Sequence, residues 1–395
     1  MARRNGGFVG QDGLDAPDPP TGVTPTAGEA SVSVAFTAPT DAGTSAITGF
    51  VAQVSTNDTA YSAGSNTGTS SPIVVSSLTA GTAATAKVWA INAYGTSAPS
   101  SVSASFTPFA TRGIFGGGRN ASNVKQDVIE YIAIASTGNG TDFGDLTVAR
   151  HYLTALSSAT RGVFAAGSSP TDTMDYVTIA STGDATDFGN LSASKERVHS
   201  FSSSTRGIFA GGTTANGTHQ NVIEYITIAN TGDVTDFGNL SAAKHEGAGA
   251  FSSTTRGIYG GGTTSGGQIN VIEYVTIANT GNTTDFGDLS STRRQGSGAS
   301  SNTRGLFIGG TSVNIIEYVT IANTGNTTDF GDLTATASFS GAVSNKIRAV
   351  RGGGTSTTNI MDYVTIATTG NALDFGDLTL AKHGLAGCSD SHGGL

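Results

Sequence analysis

An 18-residue phrase that recurs six times constrains this chain more than any other feature of its sequence. "IEYVTIANTGNTTDFGDL" occupies residues 272–289 and returns almost unchanged at 316–333, with looser copies at 129–146, 174–191, 223–240 and 361–378. Each copy carries an acidic residue before a tyrosine, and 12 residues later an aspartate that opens "DFG". Regular self-similarity of this kind predicts an array of equivalent structural repeats.

The lengths between fixed points separate the strands of each repeat from its loops. Each repeat also has an arginine before a Gly-rich segment, and the distance from a DFG aspartate to the next such arginine is 19 or 20 residues. From arginine to acid the distance varies from 13 to 18 residues. Because paired strands need a fixed register whereas solvent loops tolerate changes in length, the variable segments are predicted to be surface loops on one face. These loops are 119–127, 168–173, 213–221, 263–270, 311–314 and 355–359.

Four strand-like pieces fit within one repeat, as the fourth copy illustrates. They are "GAGAFSS" (247–253), "RGIYGGG" (256–262), "VIEYVTIA" (271–278) and "TDFGDL" (284–289). A repeat of 44 to 50 residues with four strands is typical of a β-propeller blade. With their Gly-Gly doublets and acid–Tyr pairs, the repeats resemble kelch repeats, although the Phe of "DFG" takes the place of the usual tryptophan. The resemblance covers residues 109–395 and implies a six-bladed β-propeller.

The two ends of the array predict that the ring is closed by the C-terminal strand. The first repeat begins at Arg112 without a small-residue strand of its own, and the last continues to "HGLAGCSDS" at 383–391. We therefore expect this last segment to complete the sheet of the first repeat. Closure of that kind removes the exposed sheet edges of an open array.

The part of the chain before the repeats predicts a separate β-sandwich. Eight of the nine prolines lie before residue 109, around short alternating segments such as "SVSVAFTAP" and "TAKVWAINAYG". Through "PDPPTGV", "SSLTAGT" and "AINAYGTSAPS", residues 17–108 resemble a fibronectin type III domain of the immunoglobulin-like class. Phe36 and Ala84 stand where that family has a tryptophan and a corner tyrosine, and Trp89 is expected to supply part of the missing bulk. Residues 101–108 are predicted to be the last sandwich strand, and 1–16 an N-terminal anchoring arm.

Composition excludes several functional classes. The net charge is −9 with no basic block, so nucleic acid is not an expected partner. No apolar stretch approaches the roughly 20 residues that a membrane span needs, so no membrane insertion is expected. The opening "MARRNGGFVG" has no apolar core of a signal peptide. Cys388, the one cysteine, is predicted to be a buried and inert thiol.

No catalytic constellation stands out, so the chain is predicted not to be an enzyme. The six DFG aspartates are interpreted as turn-and-strand residues, because no phosphate loop accompanies them. "NTGNTTDFGD" has enough side-chain oxygens to suggest calcium, but it lacks a bidentate glutamate at the expected spacing. No cofactor is predicted, and bound calcium stays open as the less favoured alternative. The arginine and the acid of each repeat, such as Arg256 and Glu273, are expected to pair within a blade.

Basic residues recur just before the innermost strand of most repeats. They are Arg150, Lys195, Lys244, Arg293 and Lys382, with His151, His245 and His383 following three of them; Ala337 breaks the pattern. These residues are expected to ring one mouth of a central channel. Two interpretations stay open, namely a solvated rim and a rim that binds an anion or a sugar.

The expected function is display and binding. Adaptable polar residues in the long loops are the candidate ligand-binding residues: Arg119, Asn123, Lys125, Asn216, His219 and Gln268. In its Gly/Ser/Thr-rich style and its near-identical repeats, the chain resembles structural proteins of tailed bacteriophages, especially those of cyanobacteria and marine bacteria. The resemblance implies a virion component assembled in the host cytoplasm, such as a tail fibre, a tail-associated adhesin or a capsid decoration. Arm and sandwich would then contact other virion proteins and the propeller a host-surface glycan or protein; an oligomer stays open. The alternative is a bacterial kelch-type adaptor or surface carbohydrate-binding protein outside any virion.

Overall fold

The structure is a computed structural model that describes residues 15–79, 82–108, 111–168 and 171–395. None of these residues lies in a helix, and the chain is built from strands throughout, which confirms the predicted all-β class. The chain divides into two compact units between Ala110 and Thr111. Residues 1–14 of the predicted arm lie outside the described residues.

No helix within the described ranges is long and apolar enough to cross a bilayer.

Unit 1 consists of two antiparallel sheets around one core. The first contains β1 (Thr21–Gly28), β2 (Ser31–Thr37) and β5 (Ile73–Val75), in the order β1-β2-β5. The second contains β3 (Ile47–Ser55), β4 (Gly64–Gly68), β6 (Thr85–Asn92) and β7 (Gly95–Thr96), in the order β4-β3-β6-β7. Alternate residues of both sheets face inward, so that Val32 and Val34 share a buried cluster with Phe50, Ala52 and Val88.

Three expectations for unit 1 are wrong. Trp89 does not fill the core, because Val88 and Ala90 are the buried neighbours and alternation turns Trp89 to the opposite face, beside Tyr61. Residues 101–108 do not form a strand; instead the segment after β7 touches β6 at every third residue. Asp15 and Ala16 belong to unit 1, since the Thr44 amide donates to the Asp15 carbonyl at 3.1 Å and Ala16 is buried.

Serine side chains explain that every-third-residue contact. The Ser100 amide donates to the Val88 carbonyl, and the Ser100 hydroxyl accepts from the Val88 amide at 3.0 Å. Ser97 and Ser103 bind Ala90 and Ala86 in the same way. A hydroxyl thus replaces the carbonyl that a regular strand would offer. The amides and carbonyls on this edge of β6 are therefore hydrogen-bonded without a further regular strand beside them.

Unit 2 contains six repeat sheets, here R1 to R6 in the order of the repeats. The innermost strand of each sheet stands first below and the outermost last. R1 contains β34 (Ala386–Ser389), β8 (Arg112–Gly116), β9 (Val128–Ala133) and β10 (Thr141–Asp145). R2 contains β11 (Thr154–Ser157), β12 (Arg161–Ala165), β13 (Thr171–Thr178) and β14 (Thr186–Glu196), with β17 (Thr213–Thr214) added to β14. R3 contains β15 (His199–Ser202), β16 (Arg206–Ala210), β18 (Val222–Thr227) and β19 (Thr235–Asn239). R4 contains β20 (Gly249–Ser252), β21 (Arg256–Gly260), β24 (Val271–Thr276) and β25 (Thr284–Asp288). R5 contains β26 (Ser297–Ser300), β27 (Arg304–Ile308), β28 (Ile315–Thr320) and β29 (Thr328–Asp332). R6 contains β30 (Gly341–Ser344), β31 (Arg348–Gly352), β32 (Thr358–Thr365) and β33 (Leu373–Lys382). A separate hairpin, β22 (Thr263–Thr264) with β23 (Gly267–Gln268), lies in the variable loop of R4.

The contacts between repeat sheets run in a cycle of six. The C-terminal strand β34 pairs with β8 of the first repeat, with Cys388 opposite Ile114, as the sequence predicts. Each innermost strand packs against the next, and β34 packs against both β30 and β11. Six buried clusters each join two neighbouring sheets, and one of them joins Val343 and Val350 of R6 to Phe115 and Ile132 of R1.

The arginine that opens each repeat binds the following sheet and not the acid of its own repeat. Arg256 stacks 4.2 Å from the ring centre of Tyr274 and donates to the Ile321 and Ala322 carbonyls of R5 at 2.8 and 2.9 Å. The predicted pairing of Arg256 with Glu273 is therefore wrong. Register explains the error, because Arg256 lies opposite Thr276, and Glu273 is three residues or about 10 Å further along β24.

Candidate functional site at the mouth of the central cavity

The five basic residues predicted to form a rim are buried, and each is paired with the acid of the sheet whose innermost strand follows it in the chain. Lys195–Glu224, Lys244–Glu273 and Lys382–Glu130 lie at 2.9, 3.0 and 2.6 Å, and Arg150 and Arg293 contact Asp175 and Glu317. All ten side chains are at most 3% exposed. For these five residues, both rim interpretations are wrong, since their charges are already neutralised inside the sheets.

The sixth repeat keeps the ion pair by a different route. Ala337 replaces the basic residue, but Arg351 on β31 contacts Asp362, its register partner on β32. The other repeats have Phe or Tyr where Arg351 stands, such as Phe115 and Tyr259. A buried acid without a partner is costly, so the loss of one cation is matched by the gain of another nearby.

The pair Lys244–Glu273 shows how these ions are stabilised. Burial alone would raise the pKa of Glu273, but Lys244 and hydrogen bonds from Ser241 and Thr283 outweigh burial and lower it. Burial also lowers the pKa of Lys244, against the opposing effect of Glu273. The hydroxyls fill the remaining lone pairs of the carboxylate, which a buried ion pair requires.

Six equivalent residues form the inner edge of one opening of the cavity between the innermost strands, here called the mouth. They are Tyr152, Arg197, Glu246, Gln295, Phe339 and Gly384, each two residues after the basic position of its repeat. All six have positive φ, between 54° and 67°. Each backbone amide donates to the carbonyl of the preceding member, and the Tyr152 amide donates to Gly384 at 2.7 Å. The mouth is thus a closed cycle of six backbone hydrogen bonds.

One half of the mouth is aromatic. The rings of Tyr152 and Phe339 lie 4.6 Å apart, and both are half-buried. Gly384, which stands between them in the cycle, makes their contact possible. A Cβ atom on Gly384 would lie 2.9 Å from Cδ1 of Tyr152, so any side chain there would displace the tyrosine ring.

The other half of the mouth is polar and organised by Glu246. This carboxylate is 2% exposed and accepts from Arg197 Nη1 at 2.6 Å, Arg294 Nη1 at 3.1 Å and Gln295 Nε2 at 2.8 Å. The two arginines remain 29% and 32% exposed. Arg197 also lies 4.7 Å above the ring of Tyr152, so it connects the two halves.

Three predicted histidines lie just outside the mouth. His151 and His383 lie 6.4 Å apart between ring centres, and Arg119 is bridged to His383 through two backbone hydrogen bonds. His219 lies 4.2 Å from His245. Burial, and after it the charge of Arg119, lowers the pKa of His151 to about 4 and also lowers the pKa of His383. His151 and His383 are therefore neutral at pH 7.

The remaining candidate loop residues lie further along the loops. Arg119 and Lys125 form a bridge across the base of the first loop, and Arg119 Nε donates to the Asn123 carbonyl at 3.2 Å. Asn123, Asn216 and Gln268 are exposed. The structure thus brings Arg119 and His219 to the surroundings of the mouth, while the other four belong to loop tips and loop bases. Residues 169 and 170 of the predicted loop 168–173 lie outside the described residues.

At its other end the cavity is lined by six identical residues. Ser157, Ser202, Ser252, Ser300, Ser344 and Ser389 each donate a side-chain hydrogen bond to the carbonyl of the neighbouring serine, at 2.6 to 3.0 Å. The imidazole of His392 lies inside this serine ring, 3.2 Å from the Ser202 hydroxyl and from the Ser157 carbonyl. Burial lowers the pKa of His392 to about 4.

Sequence reasoning missed Tyr152, Arg197, Glu246, Gln295 and Phe339. Their signal was present, because an alignment of the six repeats shows one position next to the innermost strand that carries a different residue in every repeat. The position was not predicted because its six residues share no charge and the chain around it does not vary in length.

Two other predicted groups have structural roles. The Asn/Asp oxygens considered for calcium connect neighbouring sheets, as when Asn282 accepts from the Asn239 amide at 3.0 Å and Asn139 from Asp377. In the described ranges, no group of three or more His, Cys, Asp or Glu residues is arranged to hold a metal ion. Cys388 is buried, and burial raises the pKa of its thiol to about 12.

No protein-family model matches the chain, and no curated protein matches it significantly.

Proposed function

We propose that the chain is a non-enzymatic virion component that displays a six-bladed, kelch-like β-propeller and binds a host-surface glycan or protein through the side that carries the mouth and the variable loops. One observation carries the proposal. Six equivalent backbone positions share a hydrogen-bonded conformation at the mouth, yet all six side chains differ. At this position the six repeats share one backbone conformation, as they do elsewhere, but each has a different residue at the mouth.

The propeller architecture is supported by the cycle of contacts in unit 2. Four-stranded sheets, innermost strands that pack in sequence, and the pairing of β34 with β8 are the features of a ring whose last strand completes its first blade. For unit 1, two sheets that share one core support a fibronectin type III-like sandwich.

The binding side is supported by the positions of the variable loops. Each loop starts directly after the Gly-Gly segment, or after Ala166-Gly167 in R2, beside the residues that flank the mouth. Arg119 bridges His383, Ser168 bridges His151 and Thr263 bridges His245. Differences in loop length and differences at the mouth therefore gather on the same side of unit 2. Such a surface, polar with aromatic anchors, suits a glycan or a polar protein.

A binding role is favoured over catalysis by the use of the buried ionisable groups. The six repeated acids are neutralised in ion pairs, and Glu246 is held by two arginines and an amide. A general acid or base needs a carboxyl free to exchange a proton with a substrate, and these groups are occupied within the protein.

A loop replacement tests the binding proposal. Short Gly-Ser turns in place of 119–127 and 213–221 should leave folding intact, because surface loops of different length cost little to close. Binding of the purified chain to a panel of immobilised neutral and carboxylated oligosaccharides, and to host cells, should fall at least tenfold. Unchanged binding in a folded variant would refute the assignment of the binding side.

Membership of a virion requires a separate experiment. Mass spectrometry of purified native particles should detect the chain at stoichiometric amounts. Its absence from particles would favour the alternative, a bacterial kelch-type adaptor or surface carbohydrate-binding protein.

A further inference from the structure

We propose that the mouth binds a carboxylated sugar residue, with the carboxylate at Arg197 and an apolar face of the sugar ring against Tyr152 and Phe339. The inference rests on the proposed function and names its ligand class and its site. Three features of the mouth carry it: an aromatic surface, an excess of fixed positive charge, and the connection between the two through Arg197.

The aromatic surface fits the apolar face of a pyranose. Tyr152 and Phe339 are neighbours across Gly384 at the edge of a cavity of about 110 Å³, and both keep part of their surface accessible. The C–H groups on one face of a sugar ring pack on aromatic rings, and half-exposed aromatic residues beside polar groups are typical of such sites. The small cavity limits insertion to one ring edge, so the sugar would lie across the mouth.

The positive charge is fixed in place by Glu246. One buried carboxylate holds two partly exposed arginines, so this group of three side chains has a net charge of about +1 at a defined position. Arg294 Nε is buried and has no hydrogen-bond partner within the described residues. Arg119 and Lys125 add positive charge around His151, and Glu196, 3.4 Å from Arg197 Nε, opposes it.

The charge and the aromatic surface meet at Arg197. Its guanidinium contacts Glu246 through Nη1 and lies above Tyr152. Glu246 occupies Nη1 and Glu196 lies 3.4 Å from Nε, so Nη2 and the second hydrogen of Nη1 remain for the carboxylate of a ligand. A neutral sugar would satisfy only the aromatic half, and a small carboxylate without a ring only the polar half. A carboxylated sugar satisfies both.

The test measures binding of three carboxylated oligosaccharides by titration calorimetry. The probes are trigalacturonate, a glucuronate-containing tetrasaccharide and sialyllactose, each beside its methyl ester, with glutarate as a carboxylate that lacks a sugar ring. We expect at least one of the three acids to bind the full chain, and its methyl ester and glutarate to bind at least tenfold more weakly. Equal binding of acid and ester, or no binding of any of the three acids, would overturn the proposal.

Variants locate the site. Arg197→Gln and Tyr152→Ala should each weaken binding at least tenfold, and Gly384→Ala should do so by displacing the Tyr152 ring. Because Arg197 also neutralises Glu246, the double variant Arg197→Gln/Glu246→Gln removes both charges, and it should also fail to bind while melting near the wild type. Lys346→Gln, in the turn between β30 and β31, is the matched loss of one positive charge and should bind normally.

The same panel separates failure of the inference from failure of the proposed function. If neutral glycans bind and the loop replacement abolishes that binding, the proposed function stands and the carboxylate site is refuted. If acids bind equally well to Arg197→Gln, the ligand class stands but the site is wrong, and this inference is overturned. If no glycan and no host cell is bound, both proposals fail together.

Discussion

The two ends of the central cavity are built alike and chemically opposite. At one end six serines each donate to the next carbonyl, and at the other six backbone amides do the same. Every residue of the first ring is serine, whereas the mouth has Tyr, Arg, Glu, Gln, Phe and Gly. The hydroxyls of the serine ring donate hydrogen bonds that connect neighbouring sheets. At the mouth the cycle of hydrogen bonds is made by the backbone alone, so the cycle does not fix the identity of the side chains.

This contrast separates two classes of side chain. Those that bond neighbouring sheets form the frame of unit 2, and those at the mouth form a surface. A side chain that bonds the next sheet cannot change without breaking a cycle, and the same holds for the arginines that donate to the following sheet and for Asn282 and its equivalents. A side chain at a position where the backbone makes the cycle of hydrogen bonds can change with little loss of stability. Substitutions in the two classes should therefore differ in kind, in stability for the frame and in binding for the mouth.

The largest effect is expected from removing the strand that completes R1. Deletion of residues 386–395 should abolish the cooperative unfolding of unit 2 and cause aggregation, because β8 and the neighbouring innermost strands lose their partner. Circular dichroism and light scattering would show the loss. Trp89, the one tryptophan, lies in unit 1 and its fluorescence transition should persist.

A shorter deletion is the matched control for that experiment. Removal of residues 392–395 keeps β34 and should retain a cooperative transition. A chain without β34 that stays monomeric and melts with the intact protein would contradict the cycle of six sheets.

The next largest effect is expected from breaking a buried ion pair of the frame. Lys244→Met should lower the free energy of unfolding of unit 2 by about 3–5 kcal/mol, because it leaves Glu273 as an uncompensated buried charge. At the mouth, Arg197→Met should lower it by about 1 kcal/mol or less, since Glu246 keeps Arg294 and Gln295. Urea unfolding followed by circular dichroism measures both.

Double-mutant cycles sharpen this prediction. Lys244→Met and Glu273→Gln should be strongly coupled, whereas Arg256→Gln and Glu273→Gln should be additive within about 0.5 kcal/mol. Coupling between Arg256 and Glu273 would restore the pairing expected from the sequence and contradict the observed register.

A pH dependence is expected from His392 at the serine end. Because burial lowers its pKa in the folded protein from the ordinary 6.5 to about 4, the unfolded chain takes up a proton first as the pH falls. Stability should therefore fall between pH 6.5 and pH 4, by about 3 kcal/mol for this residue. In His392→Gln the urea midpoint should change less over the same range, and an unaltered pH profile would show that the imidazole is not buried in solution.

The smallest effects compare one type of change at the two ends. Ser252→Ala should cost about 1 kcal/mol, because the Ser202 carbonyl loses a buried donor. Gln295→Ala at the mouth should cost within about 0.5 kcal/mol, since the backbone cycle persists. Equal losses at the two positions would show that the mouth is part of the frame.

Much of the fold was predictable from spacing, because strand pairing fixes length. The four strands expected around residues 247–289 are all present, each one to three residues shorter than expected. The pairing of the C-terminal segment with the first repeat also followed from counting, since one repeat lacked a strand and one segment lacked a sheet. Both arguments use only lengths.

Partner choice was not predictable in this way. Both Lys244 and Arg256 precede Glu273 in the chain and recur in other repeats as basic residues, and nothing in the sequence states which of them lies beside it in space. The mouth was missed for a related reason: its side chains have no shared chemistry, and what unites Tyr152 and Phe339 is a left-handed backbone conformation. Such a conformation is uncommon outside glycine and leaves little trace in residue type.

Hydrogen exchange of the innermost strands tests the closed frame most directly. The amides of β34 (Ala386–Ser389), at the end of the chain, should exchange as slowly as those of β20 (Gly249–Ser252) in its middle, because both lie between two neighbours in a cycle. Mass spectrometry of peptides covering the two strands gives the comparison in one experiment. Equal protection is the result predicted here. Exchange of β34 and β8 orders of magnitude faster than that of β20 and β21 would show an open array with free ends and would contradict the closed frame on which the mouth depends.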